Sequence, residues 1–332
     1  MKSKYFIIKN EKFIEKNNFN HKAIIIFINV ICIKSLLLIC FIVVLLRYDI
    51  YKYISFKPFK NKKTIFTFWE PRDKIPGYLN LCIKTWKKFL PEYEIKILDY
   101  NITKEMIGET LFSNIICKSM PLPLQADAIR VALLQKYGGI WMDTDTIVLN
   151  GNFFEQFQNF DLGMIGDEKQ KNQYIGVIFG SNNSKLLKDW LAKIINNVKY
   201  YKYALFNKNK SNINDYSLKK AKSYFLLGYD IIVPLLKNKK GKQYFRLDFN
   251  KINPFPERIY FCNSSLNFTQ QYNLFYFQKG DPEFVLNNSK DLILLHNSWT
   301  PLKFKNMSEK EFLKEDILLS KLLSKILNYT TY

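Results

Sequence analysis

Strand-like and helix-like segments alternate along the chain after residue 63. TIFTFW (residues 64–69) is a short continuous apolar run, as in a buried strand. PGYLNLCIKTWKKFL (residues 76–90) repeats its apolar side chains at helical spacing, and YEIKILD (residues 93–99) alternates apolar and polar residues. These three segments predict a strand, a helix and a second strand in succession.

The same alternation continues through the next part of the chain. LPLQADAIRVALLQKYGG (residues 122–139) predicts a helix that ends at Gly138 or Gly139, and IWMDTD (residues 140–145) predicts a strand. Strands and helices that alternate at these lengths predict an α/β domain with a largely parallel sheet. Ligands of such sheets bind beyond the carboxyl ends of the strands.

Later segments extend this domain to residue 307. We predict two strands and a helix, then a strand that runs into a loop, in FDLGMIG (160–166), YIGVIFG (174–180), SKLLKDWLAKIINNV (184–198) and DLILLHNSW (291–299). Ser308 and Glu311 have the spacing of a capping box at the start of an amphipathic helix over residues 308–332. This helix either packs on the domain or lies on a membrane surface.

The N-terminal part of the chain predicts a membrane anchor. Residues 1–22 form a short basic tail, and residues 23–46 are a mainly apolar run with one charge, Lys34, long enough to span a bilayer as a helix. The apolar run is longer than that of a removable signal peptide and lacks its small-residue cleavage site. We therefore predict a single-pass transmembrane signal anchor, followed by a basic stem over residues 47–63.

The side of the membrane is left open by the charges, because lysines precede and follow the apolar run. Glycosylation acceptor patterns favour a lumenal catalytic part, since all of them follow the run, at Asn101, Asn182, Asn209, Asn263, Asn267, Asn287, Asn306 and Asn328. We expect a type II protein of the Golgi or secretory pathway if the source is eukaryotic, and a bacterial inner-membrane protein otherwise.

The net charge of +21 does not indicate a nucleic-acid partner. Lysines are scattered along the chain rather than concentrated in one stripe, and no nucleic-acid-binding motif accompanies them. The 5 cysteines are widely spaced, so they form neither a disulfide framework nor a zinc site.

Two aspartates follow the strand IWM and are candidate metal ligands. Asp143 and Asp145 are two residues apart where the strand ends, so both carboxylates can reach the same region once the backbone turns. A hard divalent cation such as Mg²⁺ or Mn²⁺ is usually held by one or two carboxylates together with substrate phosphates. The alternative is an acidic turn exposed to solvent.

The preceding helix carries a second pair of charged residues. Asp127 and Arg130 are three residues apart and share one helical face. A carboxylate and a guanidinium facing the same strand end could hold sugar hydroxyls and a diphosphate. The alternative is an ion pair on the helix surface.

These motifs resemble those of a known family. QADAIRVALLQKYGGIWMDTDTIVL (residues 125–149) resembles the core signature of glycosyltransferase family 32 and the related capsular polysaccharide synthesis proteins. TIFTFWE with CIKTWKKFLPEYEIKILD (residues 64–99) is similar to the opening strand, helix and strand of that family. LLHNSWT (residues 294–300) resembles its closing loop, which contains a histidine and a tryptophan.

The resemblance implies a GT-A-type, Rossmann-like fold and a membrane-anchored glycosyltransferase. Such an enzyme would transfer a sugar, with retention and with Mn²⁺ or Mg²⁺, from a nucleotide-diphosphate sugar to a hydroxyl of a glycan or lipid-linked acceptor. A cation that bridges the leaving diphosphate stabilises the charge that develops as the glycosidic bond breaks. No protein nucleophile is then needed, because the leaving phosphate can accept the proton of the acceptor.

The resemblance also implies roles for individual residues. Asp145 would bind the cation directly, and Asp143 would contact the ribose or a metal-bound water. Asp127 and Arg130 would hold the donor sugar, with Arg130 also reaching the diphosphate. Further expected contacts are a nucleobase stacked on Trp69, a metal-binding His296, and a loop of Asn297, Ser298 and Trp299 closing over the diphosphate. The alternatives are core packing for Trp69 and a structural role for His296.

Two other functions are compatible with parts of the sequence. In a haloacid-dehalogenase-like phosphatase, IWMDTDTIV would supply Asp143 as nucleophile and Asp145 as general acid. The acidic motif offered by residues 166–168 follows too closely for that family, and no lysine motif lies between. The second alternative is a membrane-anchored glycan-binding relative without catalytic activity.

Overall fold

The computed structural model describes residues 63–167, 172–206, 223, 225–237 and 243–329. Within these ranges the strands are β1 (Thr64–Phe68), β2 (Glu94–Leu98), β3 (Gly139–Met142), β4 (Thr146–Val148), β5 (Leu162–Asp167), β6 (Asn172–Gly180), β7 (Phe245–Asp248) and β8 (Leu292–Leu294).

The helices lie between these strands and after β8. They are α1 (Gly77–Phe89), α2 (Tyr100–Ile107), α3 (Glu109–Ile115), α4 (Leu122–Tyr137), α5 (Lys185–Phe206), α6 (Tyr229–Leu236), α7 (Phe249–Ile252), α8 (Pro256–Tyr260), α9 (Phe268–Tyr276), α10 (Pro282–Asn288), α11 (Leu302–Lys305), α12 (Glu309–Leu313) and α13 (Leu318–Leu327).

The central sheet has six strands in the order β2-β1-β3-β6-β5-β7. Strand β1 is parallel to β2 and β3, and β5 is parallel to β7, whereas β6 runs antiparallel to both of its neighbours. Strands β4 and β8 form a separate antiparallel pair. The predicted α/β domain with a mostly parallel sheet is therefore confirmed, with one reversed strand that the sequence pattern did not indicate.

Two glycines link helix α4 to β3, as the sequence predicted. Gly138 caps the helix with φ 69°, and its N–H donates to the Leu134 carbonyl at 2.9 Å. Gly139 follows with φ 103°, and a Cβ there would lie 2.7 Å from the Thr64 carbonyl oxygen. Both positions favour glycine because side chains strain a left-handed backbone. This turn places β3 next to β1 in the sheet.

The hydrophobic core lies on both faces of the sheet. Helix α4 is buried along most of its length and packs with α5, whose Trp190 and Ile194 are fully buried. On the other side, Trp86 of α1 is fully buried and donates its indole N–H to the Thr146 carbonyl at 2.6 Å. Helices thus cover the sheet and fix the ends of β3 and β4, where the two aspartates lie.

The C-terminal segment packs against the rest of the molecule. The predicted capping box of Ser308 and Glu311 is present, but the predicted single helix is divided into α12 and α13. The two helices are separated near Leu318. Its N–H donates to the Gln278 carbonyl at 2.8 Å, so it does not continue α12. Phe312 and Leu322 are fully buried in the cluster around α1, so packing on the domain is confirmed for this segment.

The predicted basic tail, the transmembrane anchor at 23–46 and the stem up to residue 62 lie outside the described residues. Among the helices that the structure describes, none combines the length and the apolarity that a membrane span requires.

Candidate active site

Asp143, Thr144 and Asp145 form the turn between β3 of the central sheet and β4 of the small sheet. The Asp143 N–H donates to the Gly176 carbonyl at 2.7 Å, and the Asp145 carbonyl accepts from the Leu295 N–H at 3.0 Å. These bonds tie the turn to β6 on one side and to the segment after β8 on the other. The turn lies at the carboxyl end of β3, the edge at which sheets of this class bind ligands.

Arg130 joins the two acidic motifs. It is buried in α4, and its Nη2 lies 3.0 Å from Asp127 Oδ1 and 3.3 Å from Asp143 Oδ1. Its Nη1 donates to the Ile175 carbonyl. The predicted pair of Asp127 and Arg130 is therefore a buried ion pair shared with Asp143, rather than an ion pair on the helix surface.

The indole of Trp141 supports the same cluster. Its Nε1 donates to Asp143 Oδ1 at 2.7 Å, and the Arg130 guanidinium lies 5.0 Å from the centroid of its ring. Burial raises the pKa of Asp143, an effect that Arg130 and the indole hydrogen bond oppose. Burial also raises the pKa of Asp127 to about 7, although Arg130 opposes this shift too. The Arg130 guanidinium therefore stabilises the ionised forms of two carboxyls, those of Asp127 and Asp143.

Asp145 is held by a different segment, the one that follows β8. Its Oδ2 accepts the backbone N–H of Asn297 at 2.9 Å. Burial, followed by the repulsion of Asp143, raises the pKa of Asp145 to about 7. Two neighbouring carboxyls that destabilise each other's charge are favourable ligands for a cation, because a positive ion removes this repulsion.

The donor set fits a hard divalent cation completed by substrate phosphates. Asp143 Oδ1 accepts from Trp141 and Asp145 Oδ2 accepts from Asn297, so both carboxylates are oriented by hydrogen bonds. Across the described part of the chain, no three His, Cys, Asp or Glu side chains form a group that could hold a metal by themselves. Mg²⁺ and Mn²⁺ sites with one or two carboxylates have this incomplete protein shell.

His296 directly follows the segment that holds Asp145. Its ring stacks on Phe255 with centroids 5.6 Å apart and contacts Trp299 at 4.0 Å. Its Nε2 is buried without a hydrogen-bond partner in the described structure. Burial, with a smaller effect of Arg258, lowers the pKa of His296 to about 4, so the ring is neutral at physiological pH. A neutral imidazole is the form that binds metals, but the metal-binding role of His296 stays a prediction.

The loop after His296 has both half-buried and exposed side chains. Asn297–Trp299 form a short 3-10 helix, in which Asn297 Oδ1 accepts the hydroxyl of Tyr78 at 2.6 Å. Ser298 is exposed and Trp299 is half-buried. Of the three residues, Asn297 contacts Asp145 through its backbone N–H, and the contact of all three with a diphosphate stays a prediction.

Trp69 follows β1, at the same edge of the sheet as Asp143. Its side chain is half-buried and packs against the core cluster around α1, and its Nε1 donates to the Lys74 carbonyl at 3.2 Å. This contact is compatible with core packing. Stacking on a nucleobase stays a prediction for Trp69.

Sequence patterns did not reveal several buried or sterically critical residues of the domain. Gly176 is one, because a Cβ there would lie 2.5 Å from Asp143 Oδ2. Glu257 is another: it is buried, its Oε2 accepts the Tyr276 hydroxyl at 3.2 Å, and burial raises its pKa to about 7. The buried hydroxyls of Tyr78 and Thr300, 3.3 Å apart, are further examples. An unusual glycine between strand residues was the only sequence signal among them.

The fold and the site define an α/β protein with an acid–arginine cluster at the carboxyl edge of its parallel strands. The sequence profile of the family described as "Capsular polysaccharide synthesis protein" matches residues 46–273. The chain belongs to this family. The predicted resemblance is thereby confirmed, and with it the class of enzyme, a glycosyltransferase.

Several solved glycosyltransferase structures are similar to the chain, with low sequence identities and low TM-scores. "PaToxG Glycosyltransferase" is 19% identical over 53% of this chain and 68% of its own length, with a TM-score of 0.31. Glycosyltransferase GlyE of Streptococcus pneumoniae TIGR4 is 14% identical over 80% of this chain and 64% of its own length, with a TM-score of 0.35.

A glycosyltransferase involved in the glycosylation of the major capsid of PBCV-1 is 14% identical over 79% of this chain and 98% of its own length, with a TM-score of 0.30. No curated protein matches the chain.

Proposed function

We propose that this glycosyltransferase is metal-dependent and moves a sugar from a nucleotide-diphosphate sugar to a hydroxyl of a glycan or lipid-linked acceptor. The observation that carries the proposal is the cluster in which Asp143 and Asp145 lie beside the buried pair of Asp127 and Arg130. Each of these side chains suits one part of a sugar nucleotide.

Asp145 and Asp143 are the proposed metal ligands. Mn²⁺ or Mg²⁺ bound between them would supply positive charge to the leaving diphosphate as the glycosidic bond breaks. Asp145 is held by Asn297, and Asp143 by Trp141 and Arg130, so both carboxylates are oriented before any ligand arrives. Oriented charges cost no rearrangement at the moment of reaction.

Asp127 and Arg130 are the proposed contacts of the donor sugar. Arg130 is held between Asp127 and Asp143, so the position of its guanidinium is fixed before a donor binds. We propose a retaining transfer without a protein nucleophile, in which the leaving phosphate accepts the proton of the acceptor hydroxyl. The family resemblance and the engagement of Asp127 and Asp143 with Arg130 support this choice.

Trp69, His296 and the loop of Asn297, Ser298 and Trp299 belong to the proposal as the surroundings of the nucleotide and the diphosphate. Their support is their position, since Trp69 follows β1 and the loop lies beside Asp145. We expect Trp69 to stack on the base and Ser298, which is exposed, to contact the diphosphate.

The membrane anchor at residues 23–46 is also part of the proposal. Its apolar composition supports a single-pass protein, in the Golgi or secretory pathway of a eukaryote or in the inner membrane of a bacterium. Resistance of the full chain to alkaline extraction from membranes tests the anchor. A mass shift on treatment with an N-glycosidase supports the lumenal location, and release into the soluble fraction contradicts the anchor.

The reaction is tested with the full chain, purified in detergent and supplied with Mn²⁺ and a panel of nucleotide sugars. Release of free sugar from one donor, abolished by EDTA, is the expected result. Phosphate release from phosphoesters would instead support the phosphatase alternative, and donor or glycan binding without turnover would support a non-catalytic relative.

A further inference from the structure

A chain of buried hydroxyl groups lies behind Asp145. Asn297 donates its backbone N–H to Asp145 Oδ2 at 2.9 Å, while its side-chain oxygen accepts the Tyr78 hydroxyl at 2.6 Å. The Tyr78 oxygen lies 3.3 Å from Thr300 Oγ1, which in turn lies 3.0 Å from the Tyr272 hydroxyl. The contacts form a continuous path from Tyr272 to Asp145.

From this path we infer that Tyr78 and Thr300 are positioning residues for the metal ligand Asp145. They act through Asn297, because the hydrogen bond on its side chain fixes the peptide whose N–H holds the carboxylate. The inference rests on the proposed function, since it assigns Asp145 to a metal ion. It adds residues that lie far from the acidic motif in the sequence.

The two tyrosines of this path are buried side chains of helices. Tyr78 belongs to α1 and Tyr272 to α9, and both side chains are fully buried. The Tyr78 ring packs on Phe312 with centroids 5.7 Å apart. A phenol whose ring is fixed by packing keeps its hydroxyl at one position, so the Asn297 side chain has one orientation.

Thr300 completes the loop that carries Asn297. It is buried, its backbone N–H lies 3.2 Å from the carbonyls of His296 and Asn297, and its Oγ1 lies 3.3 Å from the His296 carbonyl. One side chain thus connects the turn to both tyrosines. Without its hydroxyl, the turn that presents the Asn297 N–H has fewer fixed contacts.

The expected consequence concerns metal affinity more than folding. Partners that orient a metal ligand from behind typically change metal affinity 10–100-fold when they are removed. Replacing Tyr78 by phenylalanine keeps the ring and its packing, but removes the donor to Asn297. We expect Tyr78→Phe to weaken Mn²⁺ binding about tenfold, because Asp145 then samples other orientations.

The test is a titration of the full chain with Mn²⁺, alone and with UDP or GDP, in which the electron paramagnetic resonance signal reports free Mn²⁺. Tyr201→Phe is the matched control, because Tyr201 is also a buried residue and its hydroxyl donates to the Ser119 carbonyl at 3.1 Å, in a different part of the molecule. Thr300→Val should weaken binding as Tyr78→Phe does, and Thr300→Ser should restore it.

The outcomes separate this inference from the proposed function. Weaker Mn²⁺ binding by Tyr78→Phe, with a melting temperature close to that of Tyr201→Phe, supports the inference. Equal Mn²⁺ binding by the wild type and Tyr78→Phe overturns it and leaves the proposed function intact. A wild-type protein that binds no Mn²⁺ under any of these conditions overturns the proposed function, and the inference with it.

Discussion

At the scale of single residues, the site depends on buried charges that are only partly compensated. Arg130 is the shared partner of Asp127 and Asp143, and Asp145 lies next to them with a hydrogen bond from a backbone N–H. Buried carboxyls with an incomplete set of partners favour their protonated form, which explains why the pKa values of Asp127 and Asp145 rise to about 7. A bound cation would reverse this preference.

Gly176 should matter because its missing side chain leaves room for Asp143. A Cβ there would lie 2.5 Å from both Asp143 Oδ2 and the Tyr174 hydroxyl oxygen. We expect Gly176→Ala to displace the Asp143 carboxylate and lower the rate of sugar transfer about 100-fold. Steady-state kinetics with the preferred donor measure the effect.

Gly180→Ala in the same strand is the control for Gly176→Ala. Its Cβ would lie 2.8 Å from Leu187 Cδ1, so it crowds an apolar side chain instead of a carboxylate. It should cost about 1–3 kcal/mol of stability without a matching loss of rate in the folded protein. Equal rates for the two variants would contradict the role of Gly176.

Glu257 should make stability depend on pH. Its pKa rises from 4.5 to about 7 through burial, so the folded state binds its proton more tightly than the unfolded state. The stabilisation is fully present below about pH 4.5 and is lost as the pH rises through 7. The unfolding free energy of the wild type should therefore fall between pH 5 and pH 8. In Glu257→Gln this fall should be smaller by about 3 kcal/mol. Urea unfolding at both pH values measures it, and an unchanged difference would contradict the assignment.

At the scale of elements, the approach of α1 to α12 fixes the helix that carries Tyr78. Gly77 begins α1, and its N–H donates to the Met307 carbonyl at 3.1 Å. A Cβ at Gly77 would lie 2.4 Å from the Glu309 backbone nitrogen and 2.6 Å from the Met307 carbonyl oxygen. Backbone atoms beside the capping box of Ser308 and Glu311 cannot move aside as a flexible side chain can.

Gly77→Ala should therefore lower the melting temperature by several degrees. A cost of 1–3 kcal/mol from overpacking corresponds to about 2–4 °C per kcal/mol in a domain of this size. Gly280→Ala is the control, because its nearest contact would be a side-chain atom, Leu318 Cβ, at 3.1 Å. Thermal unfolding of both variants measures the difference, and a Gly77→Ala protein as stable as Gly280→Ala would contradict the close packing of α1 on α12.

The elements with clear periodicity were predictable from the sequence. Strands β1, β3 and β6 and the helices α1 and α4 lie where apolar spacing and the glycines after α4 indicated. The short helices between residues 249 and 288 were not predicted, because helices of four to nine residues have too few turns to show a period. The reversed direction of β6 depends on tertiary pairing with β3, which no local pattern specifies.

The charged residues of the candidate site were also predictable from the sequence. Asp143 and Asp145 were recognised by their position after a strand, and Asp127 and Arg130 by their spacing on a helix. The hydroxyl groups that are linked to Asp145 through Asn297 could not be found in this way. Tyr78, Tyr272 and Thr300 approach one another only in the folded chain, because they come from three separate segments.

At the scale of the whole molecule, the fold brings distant segments to one edge of the central sheet. Helix α4 contributes Arg130, the turn after β3 contributes the two aspartates, and the segment after β8 contributes Asn297. Burial in this cluster raises the pKa values of its acids. We propose that this edge holds a divalent cation against a sugar nucleotide.

Asp145→Asn tests that claim most directly, with the melting temperature and the Mn²⁺-dependent release of sugar measured on the same full-chain preparation. Asp189→Asn, in α5 and outside the cluster, is the matched control. We predict that Asp145→Asn loses at least about 100-fold in Mn²⁺-dependent activity, while its melting temperature stays near that of the wild type and Asp189→Asn keeps full activity. An Asp145→Asn protein that transfers sugar at the wild-type rate with the same Mn²⁺ dependence would contradict the account.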